Sequence, residues 1–394
     1  MPSSHQKFSR LFFHPRGDFL IRGCLIGVLA LSACAAAQET QPTAASGASP
    51  ATAATTPANA PLAAPQQPPS PAPAIEISQV DFATWLEGLR AEALSRGISR
   101  ETVSVLDGLQ PIPRVLELDR RQPETTMTLR QYLDRVVVDA RVKNGRARYA
   151  ENRALLEEVG RKYGVQPRFI VALWGIETNY GQNQGGFSVI QALATLAYDG
   201  RRSAYFRGEL FNALKILDAD HINPSAMIGS WAGAMGQSQF MPSTFLSYAV
   251  DYNGDGQHDI WSTKADVFAS AANYLKQSGW RDDQTWGREV KLPPNFSATL
   301  KTVMPAEPPP GCRANRFISV RKPLSEWQKL GVRRADGGDL PHRADLQASL
   351  ALPEGEKGPA LLVYENFRTT LKWNCSILFA TAVGTLADRI GAVD

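Results

Sequence analysis

Residues 171–181 read VALWGIETNYG, a run of bulky apolar residues with one carboxylate, Glu177, near its end. In its longer frame, GVQPRFIVALWGIETNYG, the segment places Pro167 near the first turn and is apolar almost all round. Proline at a helix start and apolar residues on every face predict a central buried helix. A carboxylate at the C-terminal end of such a helix faces the negative end of the macrodipole and loses hydration. Both effects favour its protonated form, the condition a general acid needs near neutral pH. A capping or salt-bridged glutamate is the plainer reading, and this helix alone leaves it open.

Around this segment the chain is patterned as helix. DFATWLEGLRAEALSRG spaces Phe82, Trp85, Leu86 and Leu89 three to four apart and stops at Gly97. LRQYLDRVVVDARVKNG and RARYAENRALLEEVGRKYG are read as two further amphipathic helices, each closed by a glycine. Between about 288 and 373 the texture changes to REVKLPP, ATLKTVMP, NRFISV and ALLVYENF, short β-prone runs parted by Pro and Gly. SILFATAVGTLADRI then predicts a last helix, over about 376–390, that docks back on the helical body. The expected class is α+β, mainly α. A helical part spans about 76–287 and a smaller strand-containing part about 288–373.

The whole chain sets bounds on function. Its 394 residues, 43% hydrophobic, can bury a large core in two or three domains. Of the net charge of +4, residues 1–33 supply +3, from Lys7, Arg10, Arg16 and Arg22 against Asp18. The remaining +1 argues against nucleic acid or any acidic polymer held by charge. The basic start precedes the uncharged CLIGVLALSA, too short to span a bilayer and suited to a signal peptide over 1–33. LSAC, ending at Cys34, resembles the lipobox of bacterial lipoproteins, in which the cysteine is acylated. Ala35 in place of Asp favours, in that resemblance, the outer membrane, so a periplasmic protein on a lipid anchor is expected. An ordinary cleavage site with a chance cysteine is the alternative. Residues 35–74 are Ala, Pro, Thr, Ser and Gln with one charge, Glu39, and predict a solvated tether; lipidated cysteine and tether together make 34–75. Two cysteines remain, Cys312 and Cys375. In an oxidising compartment they can pair; two buried thiols are the other possibility.

Two further segments bear on chemistry. GSWAGAMGQSQFMPSTF, residues 229–245, sets Ser230, Gln237, Gln239 and Ser243 among glycines and the apolar Trp231, Met235, Phe240 and Met241. Glycines let a backbone approach a ligand, and amides beside aromatic faces suit neutral sugars, so carbohydrate is the expected ligand class. DYNGDGQHDIW, residues 251–261, reproduces the first part of an EF-hand loop, with oxygen-bearing side chains at positions 1, 3 and 5, Gly256 at 6 and Asp259 at 9. Position 12 is Ser262, so Asp266 or water would have to close the shell. Hard oxygen ligands favour a structural Ca²⁺; a metal-free Asx-rich turn is the alternative.

With GIETNYG, GSWAGAMGQSQFMPS, DYNGDGQHDIW, ASAANYL and LKWNCSILFATAVGTLADRI in this order, the chain resembles the membrane-bound lytic murein transglycosylase B family, glycoside hydrolase family 103, over nearly all of 78–392. The resemblance implies a lysozyme-like core, with an added helical domain and a small strand-containing domain. It further implies cleavage of the β-1,4 bond between N-acetylmuramic acid and N-acetylglucosamine in peptidoglycan, with Glu177 as acid and then base. It matches Ser230, Gln239 and Tyr274 to the groove beside the acid, and Arg201 and Arg202 to a basic pair suited to the peptide or the muramic acid carboxylate. Asn374 and Tyr132 are matched to further contacts. Asp251, Asn253, Asp255, Gln257 through its carbonyl, and Asp259 correspond to the metal loop. No catalytic cofactor is implied, and a monomer is expected. Phe379 and Trp373 stand where the family commonly has tyrosine, so two hydroxyl groups are absent. Two rivals remain: a muramidase using Asp199 or Glu209 to activate water, and a peptidoglycan-binding lipoprotein without turnover.

Overall fold

The computed structural model describes residues 80–120, 127–200, 202–220, 222–307 and 309–392. The expected leader, Cys34, the tether and Arg201 lie outside the described residues.

The apolar segment that carries Glu177 is the centre of the molecule. Pro167 is the first residue of the helix Pro167–Thr178, and every residue from Phe169 to Thr178 is buried. Four helices pack on it: the C-terminal helix Ile377–Gly391, Asp139–Glu151 and Arg153–Tyr163 from the N-terminal half, and Lys264–Gln277. The helix ends in three consecutive left-handed residues, Asn179, Tyr180 and Gly181, with φ of 50°, 63° and 81°. This turn folds Tyr180 back against Trp174, edge to face at 5.5 Å, and its hydroxyl donates to the Arg141 carbonyl at 2.7 Å. Ring packing and a hydrogen bond thereby offset a backbone conformation that costs non-glycine residues about 1–2 kcal/mol each.

Several expectations about local structure need correction: LRQYLDRVVVDARVKNG breaks after Val136, RARYAENRALLEEVGRKYG breaks at Asn152, and the first half of NRFISV lies in the 3-10 helix Arg313–Phe317. Gly145 closes no helix; Asp139–Glu151 runs through it, and a Cβ there would come within 2.5 Å of the Tyr180 hydroxyl and 2.6 Å of Ile390. Close approach to the central turn fixes this glycine. The run ATLKTV, read as β-prone, is the helix Ser297–Val303, since Leu300 and Val303 share a face that packs into a local core. Burial decides here over a weak strand propensity.

A short antiparallel pair, β1 (Phe187–Ser188) and β2 (Ile228–Gly229), anchors the start of the glycine-rich loop. The strand-containing part holds β3 (Gly287–Lys291), β4 (Lys322–Pro323), β5 (Arg333–Arg334), β6 (Gln347–Ala351) and β7 (Ala360–Val363). Among the described residues these form an antiparallel sheet in the order β4-β6-β7-β3-β5. Gly287 pairs with Val363, so the chain enters and leaves the sheet side by side. The sheet has its own core around Trp327, Val332, Leu350, Leu362 and Tyr364. The following helix, Glu365–Trp373, instead buries Phe367, Leu371 and Trp373 in the main helical core. A disulfide between Cys312 and Cys375, with Cα atoms 5.5 Å apart, ties the strand-containing part to the end of that helix.

Candidate active site

Glu177 sits in the last turn of the central helix, 3% exposed. Its Oε1 accepts a 2.7 Å hydrogen bond from the indole Nε1 of Trp373, which reaches it from 196 residues further along the chain. The enclosed space beside the carboxyl is walled by Leu173, Trp174, Phe268 and Trp373, and Glu177 is the one ionisable group among its described lining residues. Trp373 is itself held: its ring meets Tyr274 edge to face at 4.8 Å and lies 5.2 Å from Phe240. Tyr274, on the helix Lys264–Gln277, is braced in turn by Tyr248 at 4.7 Å. Four parts of the chain thus converge on one carboxyl.

The glycine-rich loop supplies the neighbouring wall. Gln237 links three elements: it accepts from Trp174 Nε1 at 2.7 Å, donates to the Trp261 carbonyl at 2.7 Å, and receives Thr178 Oγ1 on its backbone carbonyl at 3.1 Å. Gln239 is buried in a left-handed conformation, φ 50°, and its amide donates to the carbonyls of Gly236 and Gln184 at 2.9 and 3.2 Å. Ser230 Oγ accepts from the Ala234 amide at 3.1 Å. The loop glycines pack against protein: a Cβ on Gly236 would lie 2.6 Å from the Ile260 carbonyl oxygen, and one on Gly233 would strike Leu193. They serve the loop's own fit to the body.

Ser230, Gln239, Tyr274 and Glu177 therefore occur on elements that pack together. Asn374 follows Trp373 directly and is buried, its carbonyl accepting from the Ser376 amide at 2.7 Å. Tyr132, on the helix Leu129–Val136, is half-buried against the main core. Arg202 is engaged elsewhere, donating to the buried Asp119 carboxylate at 2.5 Å while its guanidinium lies 4.9 Å from the Phe206 ring. Sequence reasoning missed the Trp373 contact. No local signal links this donor-only indole to a carboxyl 196 residues away.

The two carboxylates considered for water activation are otherwise occupied. Glu209 is buried and accepts from the Ser243 amide at 2.8 Å and hydroxyl at 2.6 Å. Burial raises its pKa above the usual value, against the opposing pull of those two hydrogen bonds. Asp199 accepts from Arg120 at 3.1 Å in an ion pair whose arginine is largely exposed.

In the 251–261 loop the acidic side chains turn onto the loop's own backbone. Asp251 accepts from the amides of Gly254, Asp255 and Gly256, and Asp255 from that of Gln257. Asn253 pairs with Asp255 in both directions. Asp259 caps Trp261, Ser262 and Thr263. Asp266, fully buried, accepts from the amides of Tyr252 at 2.8 Å and Asp259 at 2.9 Å, bracing both ends of the loop. Among the described residues no three His, Cys, Asp or Glu side chains gather closely enough to hold an ion. The donor set nevertheless fits a hard cation, being all oxygen and in EF-hand order, with Gly256 at φ 86°.

The transglycosylase SLT domain model matches residues 81–388. The chain belongs to that family. Family membership agrees with the resemblance carried by the motifs, and the mainly helical α+β architecture is that of the family's lysozyme-like fold. A relative with a curated name, the membrane-bound lytic murein transglycosylase B of Escherichia coli (strain K12), is 31% identical over 266 residues, which is 66% of each chain. The alignment thus spans just under two thirds of that relative's length. SltB3 from Pseudomonas aeruginosa, solved in complex with NAG-anhNAM-pentapeptide, is 47% identical, with a TM-score of 0.71 over 78% of each chain. The Escherichia coli lytic transglycosylase Slt35, solved in complex with calcium, is 27% identical, with a TM-score of 0.63 over 80% of this chain and 94% of that one. No helix among the described residues is long and apolar enough to cross a membrane.

Proposed function

We propose that this chain is a lytic transglycosylase that cuts the β-1,4 bond between N-acetylmuramic acid and N-acetylglucosamine in peptidoglycan, with Glu177 as its single acid/base. The observation that carries the reading is the buried Glu177 carboxyl, met by the Trp373 indole in an apolar wall. Glu177 gives its proton to the glycosidic oxygen as the bond from muramyl C1 breaks, and N-acetylglucosamine leaves as an alcohol. The resulting carboxylate takes the proton of the muramyl C6 hydroxyl while O6 attacks C1, closing a 1,6-anhydro ring. The proton returns to Glu177 and no water is consumed, so one carboxyl suffices where hydrolytic glycosidases need two. The engagement of Glu209 with Ser243 and of Asp199 with Arg120 weighs against the hydrolase alternative.

Ser230, Gln239, Tyr274, Asn374 and Tyr132 are the proposed groove contacts. Arg201 and Arg202 are proposed for the acidic part of the substrate, Arg202 sharing its charge with Asp119. Calcium is proposed as a structural ion on Asp251, Asn253, Asp255, Gln257 and Asp259, where it would tie the loop that backs Gln237 through Trp261. A monomer anchored through Cys34 to the outer membrane and acting in the periplasm completes the reading. The test is digestion of purified peptidoglycan, followed by borohydride treatment and mass spectrometry of the sugar ends. Ends one water lighter and resistant to reduction, lost in Glu177→Gln, are expected; reducible ends would overturn the reading in favour of hydrolysis.

A further inference from the structure

The segment that carries Trp373 borders a second cavity. Lys372 and Cys375 line a pocket of about 420 Å³ between the helix Glu365–Trp373 and the strand-containing part. Its charged lining is Arg321, Arg368 and Lys372 against one carboxylate, Glu365. That carboxylate is already paired with Arg321 at 2.6 Å. Arg368 donates to neutral oxygens, the Ser349 hydroxyl at 2.7 Å and the Ser319 carbonyl at 3.4 Å, and Lys372 donates to the Ser278 carbonyl at 2.8 Å. Partial burial and then the nearby Arg321 push the Arg368 guanidinium below its ordinary pKa, against the opposing pull of the Glu365 carboxylate. A half-buried guanidinium with neutral partners gains most from a carboxylate, which it can hold through two parallel hydrogen bonds.

We infer that this pocket receives a carboxylate of the peptide stem borne by muramic acid, with Arg368 as the anchor, and that it gives the chain a preference for stem-bearing strands. The inference rests on the proposed function and names the substrate group that this face of the molecule reads. Arg202, matched to that role by resemblance, is bound to Asp119, whereas Arg368 in this pocket donates to a hydroxyl and a carbonyl. The helix that lines the pocket, Glu365–Trp373, ends in the residue whose indole meets Glu177, and a stem of five extended residues reaches roughly 17 Å.

The experiment gives the full-length chain, purified in detergent, two substrates: intact peptidoglycan and the same material stripped of stems by an amidase. Anhydro ends are counted on each. In Arg368→Gln the ratio of stem-bearing to stripped cleavage should fall about tenfold; an unchanged ratio overturns the inference. If Arg368→Gln does not fold, Lys372→Gln, on an exposed side chain, makes the same comparison, with a fall of about threefold expected and an unchanged ratio again decisive against. If the unaltered chain yields anhydro ends on neither substrate, the proposed function fails by itself. The pocket is then judged by calorimetry with free stem pentapeptide: binding about tenfold weaker in Arg368→Gln supports it, and equal binding overturns it.

Discussion

Two groups of buried or half-buried carboxylates in this molecule are held in different ways. In the 251–266 region, Asp251, Asp259 and Asp266 are taken by backbone amides and hydroxyl groups of their own loop. Glu209 is likewise clasped by the amide and hydroxyl of Ser243. Glu177 is met by a side chain from the far end of the sequence, inside a wall of aromatic and aliphatic groups. Local amide donors favour the charged carboxylate and fix the backbone around it, which makes a brace. A single indole in an apolar wall orients a carboxyl and leaves proton exchange to a partner from outside. The same functional group serves as framework in one region and, in the proposed reaction, as reagent in the other.

The comparison breaks first if Glu177 proves to be a brace. Glu177→Gln is expected to lower the formation of anhydro ends by about 10²–10⁴-fold, the usual contribution of a general acid/base, with little change in the thermal midpoint. A large drop in the midpoint would place Glu177 with the structural carboxylates. Trp373→Phe keeps the ring against Tyr274 and Phe240 but removes the N–H. A hydrogen bond to a charged group contributes about 1.5–3 kcal/mol, so kcat should fall by about tenfold or more with KM nearly constant. A KM effect alone would mean that the indole serves substrate packing.

On the framework side, calcium at a hundred times its Kd should add about 2.7 kcal/mol of stability, read as a higher thermal midpoint that chelation reverses and Asp251→Asn abolishes. No shift would mean that the Asx hydrogen bonds hold the loop unaided. Gly145→Ala, which crowds Tyr180 and Ile390, should cost about 1–3 kcal/mol by overpacking, measured by urea unfolding. The smallest effect concerns Glu209. Its folded pKa is raised, so its contribution to stability is full below the ordinary glutamate value and fades as pH rises through the folded one. The unaltered protein should therefore gain on Glu209→Gln between pH 7 and pH 4; the opposite trend would remove Glu209 from the buried class.

The central helix was legible in the sequence because its signals are local: a proline at the first turn, apolar residues on every face, and Asn-Tyr-Gly at the end. The buried position of Glu177 was legible for the same reason. The strand-containing part could be read as a change of texture, yet ATLKTV went wrong because the core that makes it helical is assembled from distant residues. Trp373 on Glu177 and Asp119 on Arg202 were hidden by separation, 196 and 83 residues respectively. No periodicity records such contacts. The glycines of 229–236 could be recognised as demanding close approach, but the partner they approach is Ile260 or Leu193, which only the fold reveals.

The pairing of Gly287 with Val363 gives the molecule a modular economy. The chain departs and returns at adjacent positions, so everything from 288 to 362 is an insertion with its own core, a second face (Ile318, Ala351, Leu361) packed into the main core, and one covalent stitch, Cys312–Cys375, to the body. Lengthening, trimming or replacing the distal turns of such an insertion leaves the helix that carries Glu177 where it is. Variation in what the protein touches can accumulate there while Glu177 stays in register.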